Sequence, residues 1–241
     1  MEQTRSEEQA RYLLCERRSI FLLLMMNSGM MGAYTFTLRG GAFCNAQTAN
    51  IVMMSIAFGQ GRWKDALYFL IPITAYFLGA FLSEALPSPV KRQGFLRWDT
   101  WLIGIEFVTL FLIGFLPLSA PHQITQVVIN FIASMQYNTF RQAEGVPMAT
   151  TFCTNHVRQL GIAAAKVARK HDPAARKRGK LHLCMLLGFL SGGIILSFAG
   201  RYLQEKAIWL ALLPLGWILI NLIHADLTIE HDALERKPLG H

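Results

Sequence analysis

Charged side chains are scarce in this sequence. Asp, Glu, Lys and Arg make up 16% of its 241 residues, whereas soluble globular domains carry about 25%. The few charges stand in short clusters separated by long apolar runs, and 53% of all residues are hydrophobic. This pattern argues against a water-soluble domain and predicts a protein that lies in a lipid bilayer, because a crossing helix needs about 20 mostly apolar residues.

Cysteines and motifs of known chemistry are also few. The four cysteines, Cys15, Cys44, Cys153 and Cys184, form no CxxC pair, so neither a disulfide framework nor a zinc site is indicated. The chain has no nucleophile elbow, phosphate loop, HExxH pattern or evident pair of catalytic carboxylates. We therefore predict no enzyme, no catalytic residue, no bound metal and no cofactor.

The net charge of +8 does not indicate nucleic-acid binding, because the bases flank apolar runs instead of forming one basic face. Such bases are typical of cytoplasmic loops in bacterial inner-membrane proteins. They predict a multi-pass protein with both termini in the cytoplasm. The outside turn at residues 118–121 has no base, although Arg62, Lys64, Arg201 and Lys206 also fall outside, so the bias is strong but not absolute.

Six apolar runs are predicted to cross the bilayer as helices: Ser19–Leu38, Trp63–Leu86, Trp98–Pro117, His122–Phe140, Leu181–Arg201 and Lys206–Asp226. Two further segments, Ala46–Gly61 and Thr150–Lys170, look helical but span poorly. The second carries His156, Arg158 and Lys166, and a charge at the centre of a crossing costs roughly 2.5–3.5 kcal/mol. We predict that both are re-entrant or broken half-helices buried in protein.

A shift of about 105 residues superposes the predicted elements of the two halves. Each half then has three crossings and one half-helix, and an odd number of crossings makes the second half inverted. The predicted fold is therefore all-α, with six transmembrane helices in two inverted three-helix repeats. The repeats are residues 19–117 and 121–226, preceded by an amphipathic cytoplasmic segment, 1–18, and followed by a cytoplasmic tail, 227–241.

The predicted half-helices would begin near the bilayer midplane, where inverted-repeat transporters bind their solutes. Helix amino termini attract anions and polar acceptors, and we expected Thr and Asn side chains to cap these starts. The predicted solute-binding residues are polar side chains in or beside these segments: Asn27, Gln47, Thr48, Asn50, Asn138, Thr151, Thr154 and Asn155.

Glu106 interrupts the third apolar run and is the predicted coupling residue for a proton or cation, because an ionisable group at membrane depth marks function by default. The alternative is a structural acid paired with Arg141. The amides along the apolar helices could likewise serve only helix packing. The late cluster His224, Asp226, Glu230, His231 and Asp232 is interpreted as a solvated tail in preference to a metal site.

Around the first half-helix the chain reads Gly29-Met30-Met31-Gly32-Ala33-Tyr34, Gly40-Gly41-Ala42-Phe43 and Gln47-Thr48-Ala49-Asn50, and around the second Thr150-Thr151-Phe152-Cys153-Thr154-Asn155. These motifs resemble the YoaK-like family of polytopic membrane proteins over most of the chain. The acid often found in that family's first helix is absent, and Ala49 replaces a glycine. The resemblance implies a membrane protein that looks like a transporter and brings no established activity with it.

The function that the sequence favours is secondary transport or uniport of a small polar or anionic solute. The alternatives are a channel or a membrane scaffold that transports nothing, followed by a membrane-embedded enzyme. The expected partners are the lipid bilayer and the solute. A homodimer is also considered, although the Gly188-to-Gly192 spacing that permits close helix contact is common in apolar helices.

Overall fold

The structure, a computed structural model, describes residues 12–85, 95–236 and 238. It is built from helices, with one short antiparallel hairpin. The helices are α1 Arg18–Leu38, α2 Gln47–Gly59, α3 Trp63–Ala85, α4 Trp98–Ile113, α5 His122–Thr139, α6 Thr154–Lys170, α7 Pro173–Leu203 and α8 Leu212–His224, and the hairpin pairs β1 Gln142–Ala143 with β2 Val146–Pro147. The all-α prediction is confirmed. The bases Arg5, Arg11, Lys91 and Arg92 lie outside the described residues.

Several boundaries differ from the prediction. Helix α4 ends at Ile113 instead of Pro117, and the next residue, Gly114, packs against the Trp209 ring. Helix α7 starts eight residues before Leu181, because Asp172 accepts hydrogen bonds from two backbone N–H groups and caps it. The last predicted helix is divided into a 3-10 stretch, Gln204–Ala211, then α8 and a π-helical turn, Ala225–Ile229.

The outer surface of the bundle is strongly apolar. Large side chains that are more than a third exposed follow one another along three helices: Leu67, Leu70, Ile71, Phe77 and Phe81 on α3, Leu187, Leu190, Ile194 and Phe198 on α7, and Leu213, Trp217 and Ile220 on α8. The interior is a hydrophobic core that also buries amides, hydroxyls and carboxylates. Polar side chains inside an apolar exterior are the arrangement expected for a protein surrounded by lipid.

Three helical stretches among the described residues are long and apolar enough to cross a membrane: Arg18–Leu38, Trp63–Ala85 and the continuous run Pro173–Ile229. Helix α4 has only 16 residues, and α5 carries several amides along its length. The structure therefore supports a membrane protein by length and composition, and the predicted count of six crossings is not confirmed.

Two pairs of helices pack in parallel through glycines. Along α1 and α7, Gly188 faces Leu22, Gly192 faces Met26 and Gly200 faces Leu38, so residue numbers rise together. Along α3 and α5, Tyr68 contacts Gln126, Gly79 contacts Phe131 and Ser83 contacts Thr139, again in the same direction. These are the most extensive interhelical contacts in the bundle, and each joins a helix of the first half to one of the second.

Two other pairs run in opposite directions. Helix α1 contacts α5 through Ser28 with Gln136, and through the Arg39 carbonyl with Gln126. Helix α4 contacts α8 through Thr100 with Asp226, and through Phe107 with Gly216. We call the end of the bundle where α1 begins the near end, and the end where α1 finishes the far end. Helices α1, α4 and α7 run from near to far, and α3, α5 and α8 return.

The glycine contacts predict a stability difference that can be measured. A Cβ atom added to Gly192 would lie 1.9 Å from the Met26 carbonyl oxygen, whereas one added to Gly161 on α6 would meet nothing within 4 Å. Gly192→Ala should lower the free energy of unfolding in detergent by about 1–3 kcal/mol, the usual cost of overpacking. Gly161→Ala is the matched control and should not lower it. Equal stability of the two variants would contradict this packing.

Candidate functional site

The chain turns back into the bundle after α1. Gly40 and Gly41 adopt positive φ angles of 84° and 77°, which glycine tolerates because it has no Cβ. Phe43 then stacks on Phe36, and the Asn45 side chain donates a 3.0 Å hydrogen bond to the Ser28 carbonyl. Because Ser28 is the middle residue of α1, segment 39–46 descends from the far end to half the depth of the bundle before α2 begins.

Asn50 closes this turn. Its amide nitrogen donates to the Phe43 carbonyl at 2.7 Å, and its amide oxygen accepts from the Phe43 backbone N–H at 3.0 Å. Asn50 therefore satisfies both polar groups of a residue that has left the helix. The predicted side-chain capping is wrong at both half-helices, because Ala46 and Cys153 occupy the N-cap positions and make no side-chain cap bond.

Gln47 connects the first half of the chain to the second. Its side chain donates a 2.8 Å hydrogen bond to the amide oxygen of Asn130, which lies midway along α5. Asn130 in turn donates to the Gln126 carbonyl at 2.7 Å. Thr48, one residue further along α2, is exposed and takes no part in this network.

Glu106 is fully buried on α4, where one carboxylate oxygen accepts a 2.8 Å hydrogen bond from the Asn27 amide. The other carboxylate oxygen of Glu106 and the amide oxygen of Asn27 have no partner among the described residues. The alternative pairing with Arg141 is wrong, because Arg141 bonds Glu84 at 2.8 Å near the end of α3.

Gln136 completes a set of buried and half-buried polar residues at this depth. Its amide nitrogen lies 3.5 Å from the Ser28 hydroxyl, and its amide oxygen has no partner among the described residues. We call this set the central polar cluster, and its members are Asn27, Ser28, Asn45, Gln47, Asn50, Glu106, Asn130 and Gln136. It draws on α1, α2, α4 and α5, and its members bond across helices to one another or to backbone groups.

The second predicted half-helix enters from the near end. Thr150 and Thr151 are buried, and their hydroxyls lack hydrogen-bond partners within the described part of the chain. Phe152 packs on Tyr137 with ring centroids 4.9 Å apart. Helix α6 then starts at Thr154, four residues later than predicted, and the Thr154 side chain is exposed.

A cavity of about 310 Å³ lies at the near end in front of this ring pair. Its lining consists of Tyr137, Asn138, Arg141, Pro147, Met148, Ala149, Phe152 and Asn155. The structure thus brings the predicted residues Asn138 and Asn155 together at this near-end opening, whereas Asn27, Gln47 and Asn50 belong to the central polar cluster, so the predicted solute-binding residues do not form one site. The rings of Tyr137 and Phe152 both line this cavity, and Thr151, which precedes Phe152, is buried.

A buried histidine pair escaped sequence analysis. His156 on α6 and His182 on α7 approach with their Nδ1 atoms 3.0 Å apart, and His156 Nε2 lies 2.8 Å from the Ala149 carbonyl. Because a carbonyl only accepts, His156 carries its proton on Nε2, and its Nδ1 accepts from His182 when both rings are neutral. The sequence had shown His156 only as a polar interruption, since its partner is 26 positions away.

Two of the late polar residues, Asp226 and Glu230, are not part of a solvated tail, which corrects the prediction for them. Asp226 is buried, accepts from the Arg97 backbone N–H at 3.0 Å and bonds the Thr100 hydroxyl at 2.6 Å. Glu230 accepts from the Leu14 N–H at 2.7 Å and pairs with Arg97 at 3.4 Å. Burial raises the pKa of the Glu230 carboxyl above its ordinary value. Through this network, the segment before α1 and the segment after α8 contact each other and the start of α4.

The described residues contain no group of three or more His, Cys, Asp or Glu side chains arranged to hold a metal ion. The site that the geometry defines is instead a cluster of neutral amides and hydroxyls around one buried carboxyl group. It lies at half the depth of an all-α bundle with an apolar exterior.

These features define an all-helical protein of the membrane type with a polar interior. Residues 20–221 match the family described as "Protein of unknown function (DUF1275)", and the chain belongs to this family. The match does not single out the YoaK-like group. Comparison with curated proteins gives no match, and comparison with solved structures gives none either.

The Asn27–Glu106 contact predicts distinct effects for two substitutions. Glu106→Gln keeps an acceptor for the Asn27 amide and should leave the thermal stability in detergent nearly unchanged. Glu106→Ala leaves that donor unpaired in the interior and should lower the free energy of unfolding by about 1–3 kcal/mol. Glu84→Ala is the control, because the Glu84 side chain is 73% exposed. The contact would be refuted by equal losses in the two Glu106 variants.

Proposed function

We propose that this protein is a secondary transporter or uniporter for a small polar or anionic solute. One observation carries the proposal: the central polar cluster buries polar atoms of Asn27, Glu106 and Gln136 that have no partner among the described residues. An unpaired buried polar atom costs free energy, so a cluster of them at one depth favours a site that a solute or water fills. The site would lie where the two halves of the chain meet.

The helix directions support an inverted repeat. Helices α1 and α5 stand in corresponding positions of the two halves and run antiparallel, as do α4 and α8. The glycine contacts repeat as well: Gly192 meets the carbonyl of Met26, and Gly79 meets the carbonyl of Phe131, which follows Met26 by 105 positions. Inverted repeats with discontinuous helices are typical of secondary transporters with a site at the repeat interface.

The two half-helix segments would reach that interface from opposite ends. Segment 39–46 descends from the far end to the level of Ser28, and residues 148–153 enter from the near end. Thr150 and Thr151 of the second segment are buried, as are Asn45 and Asn50 of the first. Broken backbone at membrane depth is tolerated where it lines such a protected site.

Glu106 is the proposed coupling group. A buried carboxylate with no cation in contact is costly, and the described residues offer Glu106 no salt-bridge partner within 4 Å. The side chain would therefore exchange a proton or a cation with the solute path during each cycle. Its neutral Asn27 partner permits either state, because an amide can donate to a carboxylate or accept from a carboxylic acid.

We further propose a bacterial inner-membrane location with the near end in the cytoplasm. The hairpin of α6 and α7 projects from the near end and carries the bases Arg169, Lys170, Arg176, Lys177, Arg178 and Lys180. The turn between α4 and α5 at the far end has none. This asymmetry is the one that the positive-inside rule associates with the cytoplasmic face.

The orientation predicts opposite labelling of two exposed positions. A cysteine replacing Ser119, between α4 and α5, should react with an impermeant thiol reagent added to intact cells. A cysteine replacing Lys177, at the start of α7, should react only after the membrane is permeabilised. The reverse result, or labelling of both from outside, would overturn the proposed topology. Both variants are made in a background without the four native cysteines.

Transport is tested first by a thermal-shift screen of small metabolites on the purified protein. A ligand at 100 times its Kd should stabilise the folded state by about 2.7 kcal/mol, and the hit is then tested for uptake into proteoliposomes. Glu106→Gln should remove the pH dependence of that uptake, and Asn27→Ala should weaken binding. Asn221→Ala is the control, because Asn221 bonds only within its own helix, to Trp217.

Three results of these assays would contradict the proposal. Uptake by Glu106→Gln that keeps its full pH dependence would exclude Glu106 from coupling. Equal effects of Asn27→Ala and Asn221→Ala would exclude the central polar cluster as the site. Ion conductance that never saturates and needs no ligand would favour a channel instead.

A further inference from the structure

Arg39 is the largest side chain that is fully buried in the bundle. It follows the last residue of α1 at the far end. Its guanidinium donates to the Tyr34 hydroxyl from Nε at 3.1 Å and from Nη2 at 2.9 Å. It also donates to the carbonyls of Leu116 and Pro117, in the turn after α4. No carboxylate lies within salt-bridge distance of Arg39 among the described residues.

The backbone at Arg39 extends these contacts to two more helices. The Gln126 amide on α5 donates to the Arg39 carbonyl at 2.6 Å and also bonds the Tyr68 hydroxyl on α3. The next residue, Gly40, packs directly against Tyr68 and His122. Arg39 and Gly40 therefore join α1, α3, α5 and the turn after α4 across the far end, above the central polar cluster.

We call the hydrogen bonds of the Arg39 guanidinium with Tyr34, Leu116 and Pro117 the Arg39 latch. Their chemistry differs from that of a permanent connection between helices. If Arg39 were paired with a buried carboxylate, separation would leave two opposite charges unpaired, at a cost of several kcal/mol. Its partners are instead a phenol and two carbonyls, all neutral. When the latch opens, water can satisfy each of them as well as the guanidinium. The contacts can thus open and close at small net cost.

The two ends of the bundle differ in this respect. The near end has the cavity that reaches the Tyr137–Phe152 ring pair, whereas the far end is bridged by the Arg39 contacts. We propose that the Arg39 latch is the far-end gate of the solute path and that this structure is the state closed at the far end. This inference rests on the proposed transport function, because a gate needs a path behind it.

The native cysteines report on the gate without knowledge of the solute. Cys44 is buried and directly precedes Asn45, whose side chain bonds the Ser28 carbonyl, so it lies deeper in the bundle than Arg39. Cys153 is half-buried at the start of α6, on the near-end side. A thiol reagent added at the far end reaches Cys44 only when the latch is open, whereas Cys153 reports on the opposite end.

The test uses an impermeant cationic methanethiosulfonate added to the far-end side of the full-length protein in vesicles. With Cys44 as the single cysteine, Arg39→Ala should raise the modification rate at least tenfold, and Tyr34→Phe should raise it less. Arg62→Ala is the control, because Arg62 lies in the turn between α2 and α3 and is exposed. With Cys153 as the single cysteine, Arg39→Ala should leave its rate from the near-end side unchanged.

Three results would overturn the gate. They are rapid modification of Cys44 in the protein that keeps Arg39 and Tyr34, no increase in the Cys44 modification rate in a folded Arg39→Ala protein, and an equal increase in the modification rate of Cys153. The last result would identify Arg39 as a general structural tie. Tyr34→Phe keeps the test decisive if Arg39→Ala fails to fold. The test needs no solute. If the cysteines respond as expected in a protein that shows no transport, the proposed function fails while the Arg39 closure stands, so the two failures are distinguishable.

Discussion

The pairing of the Asn50 amide with the N–H and C=O groups of Phe43 holds segment 39–46 inside the bundle. Under an apolar exterior, backbone N–H and C=O groups that leave a helix must find partners within the protein. Asn50 supplies a partner for the N–H group and a partner for the C=O group of Phe43. Asn45 anchors the segment to the middle of α1. The depth at which α2 begins, and so the position of Gln47 against Asn130, follows from these two side chains.

The same constraint shapes the rest of the interior. At half depth the cluster is made of amides, one hydroxyl and one carboxyl group, and it contains no ion pair among the described residues. The ion pairs and the buried arginines lie towards the ends, where Arg97 pairs with Asp99 and Glu230 and where Arg39 is held by neutral oxygens. This distribution suits a protein surrounded by lipid, because an unpaired charge at membrane depth is costly.

The positions of the helices could be predicted because apolar runs and their breaks are local properties of the chain. Glu106 could be singled out because it interrupts such a run, but its partner Asn27 is 79 positions away and no periodicity connects them. Asp226 and Glu230 were misassigned to a tail for the same reason, since Arg97 and Leu14 come from distant segments. Thr48 and Thr154 were predicted from their place at the starts of the half-helices, and helix rotation turned both outward.

The glycine contacts between α1 and α7 and between α3 and α5 make the two halves of the chain depend on each other. Helix α1 packs chiefly on α7 and α3 chiefly on α5, so each half of the chain supplies what the other lacks. A polypeptide of only one half would expose the carbonyl faces of its first and third helices and would have no closed interior.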